Sequence, residues 1–156
     1  MPTEVEKGVD NKVRRIKRRD AAAIAAIDAL HTGELKSQWW QEVIARHTRR
    51  GATPHRVGLV ALDSKDGEVI GYVLGQVRAF EFGSEPCGWI YSVGVHPDHL
   101  RSGAATKLFL AAKESFQENG VGLIRTMVRR DNVAVLTFFR NQGFALGPYS
   151  ELELAL

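Results

Sequence analysis

The amino-acid sequence predicts an α/β fold, in which a mixed, mostly antiparallel central sheet is flanked by helices. The apolar run 89–95, ended by Pro97, is typical of a buried strand. Apolar side chains then recur at helical spacing over residues 103–119 and predict an amphipathic helix. Residues 123–128 are again largely apolar and predict a second buried strand. Because a helix connects the two strands, we expect them to be parallel neighbours.

The amino-terminal part predicts one short strand and two helices. Val13 and Ile16 lie among basic side chains and indicate a short strand protected by charge. Asp20 is placed to cap a helix, rich in alanine and isoleucine, that ends near Leu30. A second helix is predicted over residues 35–47.

The middle of the chain predicts antiparallel strands. Residues 56–62 and 68–78 are rich in β-forming side chains, and the Asp-Gly pair between them is a hairpin signal. A turn at residues 83–86 leads into the strand at 89–95. Three consecutive strands are therefore expected to pair in the antiparallel sense.

The carboxyl-terminal part predicts a short helix and a hairpin. Asp131 or Asn132 is expected to open the helix, which runs through Phe139 and is ended by Gly143. Residues 144–154 surround a Gly-Pro pair and predict a closing hairpin.

The composition is that of one ordinary globular domain. Of the 156 residues, 44% are hydrophobic and 25% are charged. We expect a disordered tail over residues 1–11 and a single domain over residues 12–156. The net charge of +3 does not argue for nucleic acid as a partner. The basic stretch 12–19 allows that interpretation, but a solvated strand edge explains it more simply.

The sequence predicts a cytoplasmic protein without a metal site. Cys87 is the only cysteine, which excludes an intrachain disulfide framework and makes a cytoplasmic location the default. An apolar run of about 18 residues would be needed for a membrane span, and neither such a run nor a leader is present. No cluster has metal-ligand spacing. Exposed strand edges make a homodimer conceivable.

Small residues stand where the helix 103–119 begins. Gly103, Ala104 and Ala105 leave the backbone N–H groups of the first turn accessible. These unpaired donors and the helix dipole favour an anion such as a pyrophosphate. The sequence therefore predicts a phosphate site at this turn.

Two segments and the order of the elements resemble the GNAT superfamily of acyl-CoA-dependent N-acyltransferases. The first is Val-His-Pro-Asp-His-Leu-Arg-Ser-Gly-Ala-Ala at 95–105, and the second is Asn-Val-Ala-Val-Leu-Thr-Phe-Phe-Arg-Asn-Gln-Gly-Phe at 132–144. The resemblance implies direct transfer of an acetyl group from acetyl-CoA, as co-substrate, to a primary amine of a small molecule or peptide. The alternative is a non-catalytic acyl-CoA-binding regulatory module.

The resemblance places the phosphate-binding loop of the family at residues 100–105. Gly103 and Ala105 match the pattern of that loop, whereas Leu100 departs from it. The loop binds the CoA pyrophosphate mainly through backbone N–H groups, so the departure is expected to weaken only an accessory contact. The residues implied in this contact are Arg101, Ser102, Gly103, Ala104, Ala105 and Thr106. A solvated side chain is the alternative for Arg101.

The resemblance also implies a site for the pantetheine arm. Gly94 in a bulky strand suggests a β-bulge that splays the parallel pair, and tight packing is the alternative explanation of this glycine. Backbone groups of Val93 and Val95 would hold the arm, and an N–H beside the bulge, at Val93, would stabilise the oxyanion. Further cofactor contacts are implied at Asn132, Phe138 and Phe139; Asn132 can equally serve as a helix cap.

Catalysis requires removal of a proton from the acceptor, because an amine with a pKa near 10.4 is protonated at neutral pH. In the family that the chain resembles, a carboxylate or histidine often stands at the position of Trp89 or Tyr91, and both residues are aromatic here. Tyr91 is therefore the candidate proton relay, and Glu81 or Glu85 is the candidate base. Surface solvation is the alternative for both glutamates.

A second departure concerns protonation of the leaving thiolate. Phe139 stands where many relatives have a tyrosine that performs this step. Tyr149 is a candidate substitute, and departure of the thiolate without help is the alternative.

The acceptor pocket is expected beside the second helix. Trp39 and Trp40 and the loop before Pro54 would form an aromatic wall, with core packing as the alternative for at least one tryptophan. Glu34 and Glu42 could attract a cationic amine or simply be solvated.

Overall fold

The structure of the protein is a computed structural model that describes residues 11–49, 51 and 55–156. Its centre is a five-stranded sheet with the strands in sequence order. Neighbouring strands are antiparallel except for the last pair, which is parallel. This confirms the predicted mixed sheet. The strands are β1 (Lys12–Arg15), β2 (Arg56–Leu62), β3 (Val69–Arg78), β4 (Cys87–Val95) and β5 (Ile124–Thr126).

Helices precede, connect and follow these strands in the predicted order. They are α1 (Ala21–Thr32), α2 (Ser37–His47), α3 (Ala104–Glu118) and α4 (Val133–Asn141). The described residues form two compact units, divided between Thr126 and Met127, so that α4 belongs to the second unit. The single domain over residues 12–156 stays a prediction. No helix in the described part of the chain has the length and apolar character needed to cross a bilayer.

The two faces of β3 show how the core is built. Successive side chains of a strand point to opposite faces of the sheet. Tyr72 and Leu74 are buried in the hydrophobic cluster that contains residues of α1 and α2. On the opposite face, a Cβ atom at Gly75 would lie 2.9 Å from the ring of Phe116 in α3. The missing side chain therefore allows α3 to approach the sheet closely.

Asn11, the last residue of the tail predicted over residues 1–11, is bonded to the folded unit. Asn11 is only 4% exposed, its amide donates to the Ser102 carbonyl at 3.3 Å, and its own carbonyl accepts from Lys107 Nζ at 3.3 Å. The polar groups of Asn11 are thus bonded within the folded unit, as burial of such groups requires. Residues 1–10 lie outside the described residues.

The hairpin predicted over residues 144–154 is wrong. Residues 144–156 contain neither helix nor strand, and Leu146 and Leu152 are 97% and 91% exposed. The segment contains no valine, isoleucine or threonine, the side chains that favour extended pairing most. Its Gly-Pro pair was therefore a turn signal without strands to connect.

Asp20 precedes α1 as predicted, but its side chain does not cap that helix. The carboxylate accepts two hydrogen bonds from Arg14, at 2.8 and 2.9 Å, and one from the Lys17 N–H at 2.7 Å. Burial alone would raise the pKa of Asp20, but these bonds outweigh it, so the pKa lies below its usual value. The side chain therefore joins β1 to the start of α1.

The bulge expected at Gly94 lies instead at Tyr91. Leu74 pairs with Ser92 and Gly75 pairs with Ile90, which leaves Tyr91 as the extra residue of β4. Gly94 pairs regularly with Tyr72, and a Cβ atom there would lie 2.8 Å from the Tyr72 ring. Tight packing, the alternative explanation, accounts for this glycine.

Replacing Gly94 by alanine is expected to lower the free energy of unfolding by about 1–3 kcal/mol, because the new methyl group clashes with buried Tyr72. Gly122→Ala is the control, since no atom lies within 4 Å of its Cβ position and its φ is not positive. Urea denaturation of both variants measures the difference. Equal midpoints for the two variants would show that Tyr72 does not restrict this position.

Asp20→Asn is expected to cost about 1–3 kcal/mol at pH 7, because the charge-assisted bonds from Arg14 are lost. A depressed pKa contributes stability above the unfolded value, about 3.9, and that contribution disappears as the pH falls through the folded value. The gap between wild type and variant should therefore narrow below about pH 4. Glu118→Gln, an exposed change of equal charge, is the control. A gap that is constant from pH 7 to pH 3 would contradict the assignment.

Candidate active site

The bulge residue contacts a histidine that the sequence analysis missed. Tyr91 Oη lies 2.6 Å from Nε2 of His47, the last residue of α2. His47 Nδ1 lies 3.1 Å from the Val43 carbonyl. The Gly75 carbonyl also forms a hydrogen bond with the ring. Because a carbonyl oxygen only accepts, the Val43 contact favours the tautomer with the proton on Nδ1, in which Nε2 accepts from the tyrosine hydroxyl. The pair is therefore a hydroxyl bonded to an unprotonated imidazole nitrogen.

Burial keeps both members of this pair uncharged. Desolvation lowers the pKa of His47 below 6.5, and Arg56 and Arg46 act in the same direction. Desolvation also raises the pKa of Tyr91 to about 12, although the same two arginines oppose it. At neutral pH the pair consists of a neutral imidazole and a neutral phenol, which can pass a proton from Tyr91 to His47.

Tyr91 and His47 line a pocket of about 340 Å³ between α2 and the sheet. Aromatic, amide and cationic side chains surround it. The lining residues are Trp39, Val43, Arg46, His47, Arg56, Gln76, Arg78, Trp89 and Tyr91.

The two adjacent tryptophans of α2 have different environments. Trp39 is 48% exposed and lines the pocket, as an aromatic wall would. Trp40 is 1% exposed, packs edge-on against Tyr72 at 5.3 Å and donates its N–H to Asp28. Core packing therefore accounts for one tryptophan of the pair.

The acidic candidates do not line this pocket. Glu81 forms an ion pair with Arg78, whose guanidinium lies 4.9 Å from the centre of the Trp89 ring. Glu85, Glu34 and Glu42 are exposed on the surface. The loop before Pro54, which was expected to border the pocket, lies outside the described residues.

β4 has an open edge beyond the bulge. Its parallel pairing with β5 covers only residues 88–90, and no described strand lies beside residues 91–95 on that side. The His96 N–H donates to the Ile70 carbonyl at 2.7 Å, so Ser92 and Gly94 also direct their backbone groups to β3. By the alternation of an antiparallel ladder, the backbone groups of Val93 and Val95 face the open edge.

One acceptor at this edge is already bonded. Nε2 of His31, near the end of α1, lies 2.6 Å from the Val95 carbonyl, and the ring nitrogen donates to it. Within residues 11–126 that the structure describes, no partner is found for the N–H of Val95 or for either backbone group of Val93. An extended chain with amide groups can pair with such an edge as another strand would.

The turn before α3 has the geometry of an anion site. Gly103 adopts a φ of 78°, and no atom lies within 4 Å of its Cβ position. The Ser102 hydroxyl donates to the His99 carbonyl at 2.7 Å and accepts the Ala104 N–H at 3.3 Å. The N–H groups of Ala105 and Thr106 follow in the first turn, where the helix itself provides no acceptor. The turn thus fits a phosphate, with Ser102 fixing its shape.

The second unit contains the remaining predicted cofactor residues. The Asn132 side chain accepts the Val135 N–H at 3.2 Å, so it caps α4. Phe139 is 4% exposed and packs edge-on against Phe138 at 5.2 Å and against Phe144 at 4.9 Å. Tyr149 is half-exposed. Cofactor contacts from Asn132, Phe138 and Phe139 stay predictions.

A comparison with sequence models of protein families identifies the family of this chain. A sequence model of the acetyltransferase (GNAT) family matches residues 23–144. This chain belongs to the GNAT family. Members of the family use acetyl-CoA as co-substrate.

Curated relatives include mycothiol acetyltransferases. The protein from Renibacterium salmoninarum is 30% identical over 87 residues, which are 56% of this chain and 25% of that protein. The protein from Saccharomonospora viridis is 29% identical over 90 residues, which are 56% of this chain and 29% of that protein. The chain therefore matches less than a third of the length of either relative.

Solved structures share the fold at low identity. An aminoglycoside N-acetyltransferase in complex with CoA superimposes with a TM-score of 0.78 at 14% identity, covering 97% of this chain and 98% of the other. A ribosomal-protein-alanine N-acetyltransferase from Brucella melitensis superimposes with a TM-score of 0.72 at 18% identity, covering 94% and 99%. These likenesses confirm the fold class.

The pKa of His47 is expected to lie below the usual value for histidine. NMR signals of the His47 ring, assigned with His47→Gln, should give a pKa below 6.5, because burial opposes the imidazolium. In Tyr91→Phe this pKa should rise, since Nε2 loses the donor that favours the neutral ring. His55, which lies 3.2 Å from Ser115, should titrate alike in both proteins. A His47 ring that is protonated at pH 7 would exclude it as the acceptor described here.

Proposed function

We propose that this protein transfers an acetyl group from acetyl-CoA to the primary amine of a small molecule or peptide. The observation that carries the proposal is the position of Tyr91. As the extra residue of β4 it lies where the open edge begins, and its hydroxyl lies in the pocket against His47. The proposed donor site and the proposed acceptor site therefore meet at one residue.

Residues of β4 and α3 would hold acetyl-CoA. The backbone groups of Val93 and the N–H of Val95 would bind the pantetheine amides along the open edge. The N–H groups of the turn at Gly103, with Ala105 and Thr106, would bind the pyrophosphate. Arg101 is exposed beside this turn and can add a charge-assisted bond to phosphate. When bound, acetyl-CoA supplies an acyl thioester that an amine can attack.

The Tyr91–His47 pair would remove the proton of the amine. Tyr91 accepts the amine proton at its oxygen while its own proton passes to His47 Nε2, and His47 then releases it to solvent. The lowered pKa of His47 keeps this nitrogen unprotonated at neutral pH, and the raised pKa of Tyr91 keeps its hydroxyl able to donate. This assignment replaces Glu81 as the proposed base, because its carboxylate is bonded to Arg78.

A non-catalytic acyl-CoA-binding module is the second candidate. Phe139, which has no hydroxyl to protonate a leaving thiolate, favours it. This candidate predicts binding of acetyl-CoA without any amine-dependent release of CoA.

Binding of acetyl-CoA should depend on Gly103. Calorimetric titration should give micromolar affinity for wild type and none for Gly103→Glu, because a bulky carboxylate would occupy the turn and repel phosphate. Gly120→Glu is the matched control: Gly120 has a similar φ of 75° and open surroundings, but follows the other end of α3. Equal affinity of the two variants would show that the turn at Gly103 is not the anion site.

Turnover should depend on the Tyr91–His47 pair. Thiol release from acetyl-CoA with a panel of primary amines should fall about 10²–10⁴-fold in kcat for His47→Gln and for Tyr91→Phe. The wild-type rate should decline as the pH falls through the lowered pKa of His47. Thiol release that no amine accelerates would favour the binding module. Amine-dependent release that both variants retain would exclude the relay but leave acetyl transfer in place.

A further inference from the structure

The pocket beside Tyr91 is strongly cationic. Three of its lining residues are arginines, namely Arg46, Arg56 and Arg78, and none of its described lining residues is acidic. An arginine presents several N–H donors in a fixed plane that matches carboxylate and phosphate oxygens. The charge of this pocket therefore bears on which acceptors enter it.

Two of the three arginines have no counterion in the part of the chain that the structure describes. Arg78 is bonded to Glu81 and packs over Trp89, so its charge is largely compensated. Among the described residues, no ion pair or hydrogen bond partner is found for the guanidinium of Arg46 or of Arg56. Arg46 is the residue before His47 at the end of α2, and Arg56 begins β2.

These two charges act directly on the proposed proton relay. Both arginines lower the pKa of His47 and oppose the rise in the pKa of Tyr91. The two cations and the relay therefore lie in one electrostatic environment. A ligand group that compensates the cations would sit next to the position of the reacting amine.

We propose that the acceptor amine carries a carboxylate or a phosphate group, and that Arg46 and Arg56 bind this group in the pocket. The inference rests on the proposed acetyl transfer and names the acceptor class for that same pocket. An acceptor bearing only amino groups would meet charges of its own sign. The acceptor class is thus an anionic amine rather than a polycation.

Binding of such an acceptor would also adjust the relay. An anion placed against Arg46 and Arg56 offsets the charges that hold the pKa of His47 down, so the ring becomes a stronger base when the acceptor is present. If the two arginines had only a structural role, binding of an anionic amine would leave the pKa of His47 unchanged.

The test uses matched pairs of amines that differ in one charge. The pairs are 4-aminobutyrate with 4-aminobutanamide, and phosphoethanolamine with ethanolamine. Binding is followed by tryptophan fluorescence, because Trp39 and Trp89 line the pocket, once with saturating CoA and once without CoA. The anionic member of at least one pair should bind about tenfold more tightly, as a bond between charged groups predicts. It should also raise the His47 pKa measured by NMR.

Charge-matched variants identify the residues responsible. Arg46→Gln and Arg56→Gln should each reduce the preference for the anionic amine, and the double variant should abolish it. Arg49→Gln removes one charge from the segment after α2 without altering the pocket lining, and should keep the preference. Equal binding within each pair, or a preference that survives the double variant, would overturn the proposal.

Two further outcomes separate this inference from the proposed function. If the anionic amines bind in the absence of CoA but not in its presence, the arginines serve a phosphate of CoA, and the acceptor class is wrong. If the anionic amines bind as expected with CoA present but accelerate no thiol release from acetyl-CoA, acetyl transfer fails while the pocket keeps its anion preference. Acetylation of neutral amines alone would leave the function in place and overturn the acceptor class.

Discussion

At Tyr91 one extra residue enters β4 opposite a regular β3, and the strand bends there as bulged strands do. Pairing with β5 has already ended at Ile90, where the Thr126 hydroxyl donates to the Ile90 carbonyl at 2.9 Å. The insertion changes which backbone groups of the following residues face outward, and it directs the Tyr91 hydroxyl to His47. The early end of the β5 pairing leaves the open edge, and the bulge next to it sets the backbone groups that face this edge and the position of Tyr91. The proposed chemistry depends on both features.

The core holds this irregularity in place. Tyr72 is 3% exposed and lies between Trp40 of α2 and Gly94 of β4, so the helix layer and the strand beyond the bulge contact the same ring. Burial raises the pKa of Tyr72 to about 12, and its hydroxyl forms a hydrogen bond with Ser92, next to the bulge. A side chain at Gly94 would displace either the ring or the strand. Close packing around Tyr72 therefore helps to fix the geometry of the open edge of β4, which would bind a ligand through backbone groups rather than side chains.

Strong local patterns predicted most of the fold, and contacts between distant residues explain what they missed. The periodicity over residues 103–119 and the Asp-Gly turn located α3 and the β2–β3 hairpin within a few residues, because these signals are contained in short segments. A glycine in a strand indicates either a β-bulge or tight packing. At Gly94 the structure shows tight packing, against Tyr72, which lies 22 positions earlier in the chain and is not part of any local pattern. His47 and Tyr91 are 44 positions apart, and no local pattern joins them. The sequence did contain one indication of His47. It follows Trp40 and Val43 at helical spacing, which places it on the buried face of α2.

The open edge of β4 and the first turn of α3 are proposed to bind acetyl-CoA together. Amide hydrogen exchange followed by NMR, with and without acetyl-CoA, tests this proposal most directly, because it reports individual backbone N–H groups. We expect slower exchange at Val93 and Val95 and at Ala105 and Thr106, with no comparable change at the amide of exposed Ser64 in the β2–β3 turn. Saturable binding that protects none of the four amides would contradict it, and protection at α3 alone would exclude the open edge as the site of the pantetheine arm.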